Sequence, residues 1–296
     1  MHIPQIIGRA LEMGAALVVS ISGGRDSQAM LKLLVQEYRR RCWQGELFAV
    51  HAHLGRAEWK ESLPMCYKIC DQYEIPLIVV KRDKGDLVDR WQERMETLKG
   101  ENKPHWSSAS ARYCTSDLKR TPINKHLRKL PFLVCAVGLR ADESVSRAKQ
   151  PYVTMRTRIT GKQYKDFTPN EALEHWSPDR GRLAFTWHPI LDYSSSQVWE
   201  TIGTSNQELE KRKIMYHAGQ KHEALEGWPA HPAYIYGITR VSCACCILAR
   251  KSDLLVGIKH NQELAQIIIQ MEQESGFSFQ PNQAMMDLNI DQQKDI

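Results

Sequence analysis

Residues 18 to 27 read VVSISGGRDS, and this stretch limits the possible folds more than any other part of the chain. Leu17, Val18, Val19 and Ile21 form a β-branched apolar run of the kind that makes a buried strand. The run stops at Ser22-Gly23-Gly24, and an apolar-periodic helix resumes through Ala29, Met30, Leu33 and Leu34. A Gly-rich turn between a strand and a helix N-terminus presents unpaired backbone N–H groups and the positive end of the helix dipole, both suited to a phosphate. Gly23 and Gly24 permit close backbone approach, Ser22 and Ser27 supply hydroxyls, and Arg25 is a cation able to chelate an anion. The turn is too short for a Walker loop and lacks its Gly-Lys-Ser/Thr ending. The bland alternative is an ordinary βα turn, with Asp26 serving only the helix dipole.

The rest of the chain repeats the strand–helix alternation. Leu47 to Val50 reads as a buried strand ending at His51-Ala52-His53. A helix is expected from Glu58 to about Tyr73, a strand at Pro76–Val80, and a helix from Asp86 to Leu98. Thr115 and Thr121 look like N-caps of two short helices, the second with Pro122 at its first position. Pro131 to Val137 is a further strand, closed by Gly138. Residues 150–183 are polar and read as an irregular excursion. A strand at Leu183–Thr186 follows, then a helix capped by Ser194 to Ser196, an ordered loop over 227–237, and helices near 253–260 and 262–275 before a frayed polar tail. This order predicts an α/β fold with a doubly wound, mostly parallel sheet and a C-terminal, cysteine-bearing, mainly helical extension. The expected division is a nucleotide-binding domain over 1–200 and the extension over 201–296. In such sheets ligands sit at the carboxyl ends of the strands, where the Gly loop, His51 and Gly138-Leu139-Arg140 fall.

Charge and cysteine content narrow the function. The net charge is +6, and it is uneven: the first 150 residues hold 25 Lys/Arg against 17 Asp/Glu, the remainder 15 against 17. The excess accompanies the phosphate loop and suits a polyanion, although no basic block is dense enough to demand nucleic acid. No apolar run approaches membrane-spanning length and the N-terminus lacks signal-peptide character, so a cytoplasmic protein is expected. Eight cysteines do not follow a secreted disulfide pattern. Cys42 and Cys135 read as core thiols, and Cys66 and Cys70 share a packed helix face. Cys243-Ala-Cys-Cys246 contains a CxxC pair, which in a cytosolic chain means a metal or cluster ligand, or a redox couple.

The ordered series SGGRDS, VHAHLGRAEW, RYCTSDLKRTP, GLRADESVSRAK, WHPILDYSSSQVW and GITRVSCACCI resembles the phosphoadenosine-phosphosulfate (PAPS) reductase-like family of PP-loop ATP pyrophosphatases. The likeness runs over about residues 18–250 and is nearest to the uncharacterised and DNA-phosphorothioation-type (DndC- and SspD-like) members. It implies an adenine nucleotide alpha hydrolase-like fold that cleaves ATP to AMP and pyrophosphate, activating a substrate for sulfur transfer. Implied cofactors are ATP and Mg²⁺, and implied partners are nucleic acid and other proteins of a sulfur-modification system. The resemblance places Ser22, Gly23, Gly24, Arg25, Asp26, Ser27, His51, Ala52, Gly138, Arg140, Glu143, Ser144 and Arg147 at the nucleotide. It gives catalytic roles to Arg25, Asp26, Lys119 and Arg140. Arg25 stands where the family usually has Lys.

The cysteines depart from the reductase pattern. Tyr113 occupies the first position of the family's tandem Cys-Cys, leaving Cys114, Cys243 and Cys246 as implied ligands of an iron–sulfur cluster, expected as 4Fe-4S. Cys245 or His231 is open as a further ligand, and structural zinc or free redox thiols remain alternatives. No cysteine follows Cys246, so the nucleophile of classical sulfonucleotide reductases is missing. The expectation is therefore an ATP pyrophosphatase. A sulfonucleotide reductase with an atypical thiol is one alternative, and a nucleotide-sensing subunit of a DNA-modification or defence complex is another.

Overall fold

A computed structural model describes residues 1–281 and 283–288; the end of the polar tail lies outside them. Six strands form one sheet: β1 (Ala16–Ile21), β2 (Leu47–Ala52), β3 (Leu77–Val80), β4 (Phe132–Val137), β5 (Val153–Met155) and β6 (Leu183–Trp187). Their order is β3-β2-β1-β4-β6-β5. All neighbouring pairs are parallel except β5 with β6, an antiparallel edge. The chain is thus an α/β protein with a doubly wound, mostly parallel sheet. From β1 it winds outward through β2 and β3, then returns to place β4 on β1's other side. That reversal parts the loops after β1 and β4 and opens a crevice at their carboxyl ends.

Alternate residues of the central strands serve opposite faces. Leu17, Val19, Ile21, Val134 and Ala136 pack with Met30, Leu34 and Ile69 on one side. Val18, Val50, Leu133 and Cys135 pack with Ile123 and Leu127 on the other. Burial on both faces explains why these strands read as unbroken apolar runs. A third core unites Trp59, Trp91 and Trp106 with Trp199, Trp228, Tyr234 and the C-terminal helices Lys251–His260 and Gln262–Ser275. The residues after 200 are mainly helical, with loops over 226–232 and 237–250 that include the CxxC pair, and they pack against Trp59 in this third core.

Several expectations need correction. Thr115 and Thr121 cap nothing: Tyr113–Thr115, Ser116–Arg120 and Thr121–Leu127 form one helical run, with neither threonine making a side-chain cap. Ser116–Arg120 is a π-turn. Pro122 would press its ring on the carbonyl four residues earlier, at Leu118, and a widened turn there relieves the contact. Residues 150–183 are not irregular: they hold β5 and the helix Pro169–Glu174, whose capping box joins Thr168 and Glu171. The expected helix from Glu58 begins at Ser62, after a 3-10 turn over Gly55–Ala57. Cys42 is no core thiol. It is exposed, at φ 51° in the left-handed turn that ends the helix Arg25–Arg40. Cys66, Cys70 and Cys135 are buried as expected.

Candidate active site

The SGGRDS turn lies between β1 and the helix Arg25–Arg40, with Gly24 at the N-cap position in extended conformation. Gly23 has φ +74°, and a Cβ there would come within 2.9 Å of the Ser62 carbonyl oxygen. Both the left-handed backbone and the close approach require glycine. The turn is closed internally, because Ser27 Oγ accepts from Ser22 N–H (3.2 Å) and donates to the Gly24 carbonyl (2.8 Å). Gly138, at the end of β4, passes against the same helix start; a Cβ on it would lie 3.2 Å from the Asp26 carbonyl carbon and the Ser27 nitrogen.

A cavity of about 710 Å³ opens over the carboxyl ends of β1 and β2. Its wall contains Ser22, Arg25, Asp26, His51, Ala52, Lys119, Arg140, Glu143, Ser144 and Arg147. Cys114, Cys243 and Cys246 face the same space. Of the residues expected at the nucleotide or the thiol centre, only Gly23, Gly24, Ser27 and Gly138 lie behind the wall, as the backbone that shapes it.

The side chains are already committed to one another. Asp26 Oδ1 accepts from Arg140 Nε at 2.7 Å, and Arg140, 3% exposed, also donates to Asp142 (2.5 Å) and the Tyr193 carbonyl (3.2 Å). This pair braces the start of the helix Arg25–Arg40 against the segment after β4. The Arg25 guanidinium lies 4.8 Å from the Trp199 ring centre and 5.6 Å from that of Tyr234, so its charge is held on an aromatic wall. His51 is tied into the protein: Nδ1 meets the Ile21 carbonyl (3.2 Å), and Nε2 lies 3.0 Å from Glu58, without the alignment of a hydrogen bond.

Glu143, Ser144 and Arg147 do not share one helix face. A 3-10 turn over Ala141–Glu143 is followed by a break at Ser144, whose hydroxyl caps the short helix Val145–Ala148 by accepting from Arg147 N–H. The break turns the Arg147 guanidinium onto the Glu143 carboxylate, which also lies 3.5 Å from Arg240. Burial, with Arg240 beside it, pulls Arg147 down to about 10. Arg112, Arg240 and Arg250 add three exposed cations to the wall. Sequence reasoning passed over all three, although each stands within four residues of Cys114, Cys243 or Cys246.

The thiols behave differently from one another. The hydrogen bond between Cys243 and Cys246 holds Cys246 below the usual thiol range, helped by Lys119, and raises Cys243 well above it. Cys246 is the thiolate-prone member of the pair. Among the described residues, no three His, Cys, Asp or Glu side chains are gathered closely enough to hold a metal ion as they stand. The donor chemistry nevertheless fits a soft metal or cluster: three sulfurs border one cavity, one of them disposed to ionise. The two further ligands considered from sequence do not face it. Cys245 is buried in the helical core, and His231 is buried with Nε2 against Ser62 Oγ (3.1 Å) and Nδ1 accepting from Ala233 N–H. Tyr113 also turns away, donating to the His105 carbonyl (2.6 Å) and flanked by the guanidinium groups of Arg90 and Arg94.

No curated protein matches the chain. Among solved structures it is similar to an FMN adenylyltransferase of Candida glabrata in complex with FAD and inorganic pyrophosphate (12% identity, TM-score 0.34, 68% of this chain and 59% of that one). It therefore spans less than two thirds of that protein's length. The U34-tRNA thiolase NcsA of Methanococcus maripaludis, with its 4Fe-4S cluster, is similar at 18% identity and TM-score 0.40, over 81% of this chain and 77% of that one. The NAD⁺ synthetase of Burkholderia pseudomallei is similar at 16% identity and TM-score 0.31, over 48% and 62%. The phosphoadenosine phosphosulfate reductase domain model matches residues 16–248, from the first residue of β1 to just past the CxxC pair, and the chain belongs to that family.

Proposed function

We propose that this protein is an ATP pyrophosphatase that transfers the adenylyl group of ATP to an acceptor and so prepares the acceptor for sulfur transfer. One observation carries the reading: the SGGRDS loop and the three thiols open onto a single cavity. Attack at the α-phosphorus expels pyrophosphate, so donors must meet the charge that grows on the leaving group. The loop amides and Ser22 supply neutral donors there. Arg147 and Lys119 supply cations, and Arg140, through Asp26, keeps the loop in place. Ala52, at the end of β2, offers its backbone to the adenine edge. Mg²⁺ would enter with the triphosphate rather than on a dedicated carboxylate, since Asp26 is ion-paired.

Cys114, Cys243 and Cys246 would hold an iron–sulfur cluster, which when bound supplies a sulfur-handling centre beside the activated acceptor. Lys119 helps to hold Cys246 below the usual thiol range, and the wall cations retain the nucleotide while the acceptor enters. The nucleotide domain is assigned to 1–200, the thiol-bearing extension to 201–296, and the cytoplasm as the compartment. A nucleic-acid acceptor, of the DNA-phosphorothioation kind or an RNA, suits the three exposed arginines at the wall.

The reaction is tested with labelled ATP and a panel of acceptors. AMP and pyrophosphate are the expected products, and ADP as the sole product would reject the assignment. Sulfite release from a sulfonucleotide would instead identify a reductase. Protein purified without oxygen should be brown and contain iron and acid-labile sulfide. Zinc without sulfide would leave the thiols a structural metal site.

A further inference from the structure

Tyr234 has no part in the six motifs that carry the family resemblance, yet its phenol stands at the floor of the nucleotide cavity. The ring is 2% exposed and packs edge-on to Trp199 at 5.1 Å between centres. Its oxygen accepts the Arg25 backbone N–H at 3.1 Å, and a backbone donor at Val241 also bears on it. A Cβ on Gly24 would lie only 3.5 Å from this oxygen, so the phenol adjoins the bare backbone of the phosphate loop.

These contacts use the oxygen as an acceptor and leave its own proton uncommitted. Burial, with the Asp26 charge nearby, raises Tyr234 to about 12, so that proton stays in place at neutral pH. The N–H group pointing at the phenol oxygen also polarises its O–H and makes it a stronger donor. The position is one that a phosphate oxygen bound to the loop would reach. At that point the Arg25 side chain is stacked on Trp199 and the Arg25 N–H is spent on Tyr234 itself, so the phenol joins the Ser22 hydroxyl, 3.6 Å from the same Gly24 Cβ position, as a donor.

We infer that Tyr234 is a phosphate-binding residue, donating its phenolic proton to the pyrophosphate portion of the nucleotide in place of the loop amide that it occupies. The inference rests on the nucleotide reading of the cavity and adds a ligand contact from the C-terminal extension. It makes that extension part of the nucleotide site.

The test compares wild type with Tyr234→Phe by calorimetry, using ATP and inorganic pyrophosphate, alongside ultraviolet difference spectra of wild type titrated with pyrophosphate. Loss of a hydrogen bond to a charged acceptor should weaken both ligands about tenfold. Tyr234 is the only tyrosine on the cavity wall among the described residues, so pyrophosphate, itself transparent, should shift a tyrosine absorption band along the binding curve. A phenol that only props the loop would lower the affinity without moving that band. Unchanged pyrophosphate affinity in the variant, or a flat difference spectrum, would overturn the inference. If Tyr234→Phe does not fold, the difference spectrum alone decides. Wild type that binds neither ligand would defeat the nucleotide reading, a result separate from both.

Discussion

At the scale of single residues, the site is built from groups paired before any ligand arrives. Asp26 and Arg140 show this most directly. Their ion pair joins the start of the helix Arg25–Arg40 to the segment after β4, and Arg140 is almost fully buried. Asp26→Ala strands one bond of that guanidinium while Asp142 and Tyr193 keep others. The expected cost is about 2 kcal/mol in a urea titration, smaller than for a wholly unpaired buried charge. The loop also loses its brace, so ATP turnover should vanish while far-ultraviolet dichroism is unchanged. Turnover at the wild-type rate would show that the pair is not part of the site. Arg25→Lys should behave more mildly. A lysine ammonium can still sit over Trp199, but without the planar stacking of guanidinium. Most of the turnover should survive, and a loss comparable to Asp26→Ala would mean that Arg25 meets the phosphates directly.

At the scale of elements, short capped helices carry the wall. The helix Ser195–Ile202 starts at a capping box between Ser194 and Gln197 and delivers Trp199 beneath Arg25. Ser194→Ala should cost about 1 kcal/mol, the usual value of an N-cap, read as a lowered denaturation midpoint with the nucleotide chemistry intact. Gly23→Ala should be harsher and local. It forces a side chain into φ +74° and against the Ser62 carbonyl, at a strain of about 1–2 kcal/mol. Its signature would be loss of ATP binding at a stability that still permits folding. An alanine variant binding ATP normally would show that the loop can relax. Element types were largely legible where burial imposes a period. The central strands could be read because burial on both faces makes them unbroken apolar runs, and the helices after β1 and β3 because every third to fourth residue faces a core. The helix Asn206–His217 could not, because Leu209 is its only buried residue and no apolar stripe marks it. The helix Pro169–Glu174 did carry a signal, Thr168-Pro-Asn-Glu171, which is a capping box with proline at the first position.

At the scale of the whole molecule, the third core locks the extension to the sheet, and two buried histidines make that packing sensitive to acid. Burial holds His231 and His105 at about 4, below the ordinary histidine value of 6.5. His231 must be neutral to accept from Ala233 N–H while its other nitrogen meets Ser62. The unfolded chain therefore binds more protons than the folded one between pH 6.5 and pH 4. Stability is full above pH 6.5, falls as the pH drops through that window, and levels off below pH 4. At pH 5 the loss should be about 1–2 kcal/mol for each histidine. Urea midpoints at pH 7 and pH 5 check this, and His231→Gln should flatten the dependence. A slope as steep in that variant would assign the effect to other groups.

From the sequence alone, the class of fold, the place of the SGGRDS turn between strand and helix, and the family of motifs could be determined. Each depends on local pattern: β-branched runs, a glycine turn between strand and helix, and residue types in a set order. Which side chains share a cavity depends on the order β3-β2-β1-β4-β6-β5 and on a helical extension folding back across the strand ends. Only that arrangement brings Cys114 to the same wall as Cys243 and Cys246, and turns Cys245, His231 and Tyr113 away. It also gives Asp26 to Arg140, Arg25 to Trp199 and the Arg25 amide to Tyr234. These pairings join residues 114, 174 and 209 positions apart, where no local pattern records them and close packing alone decides which groups meet.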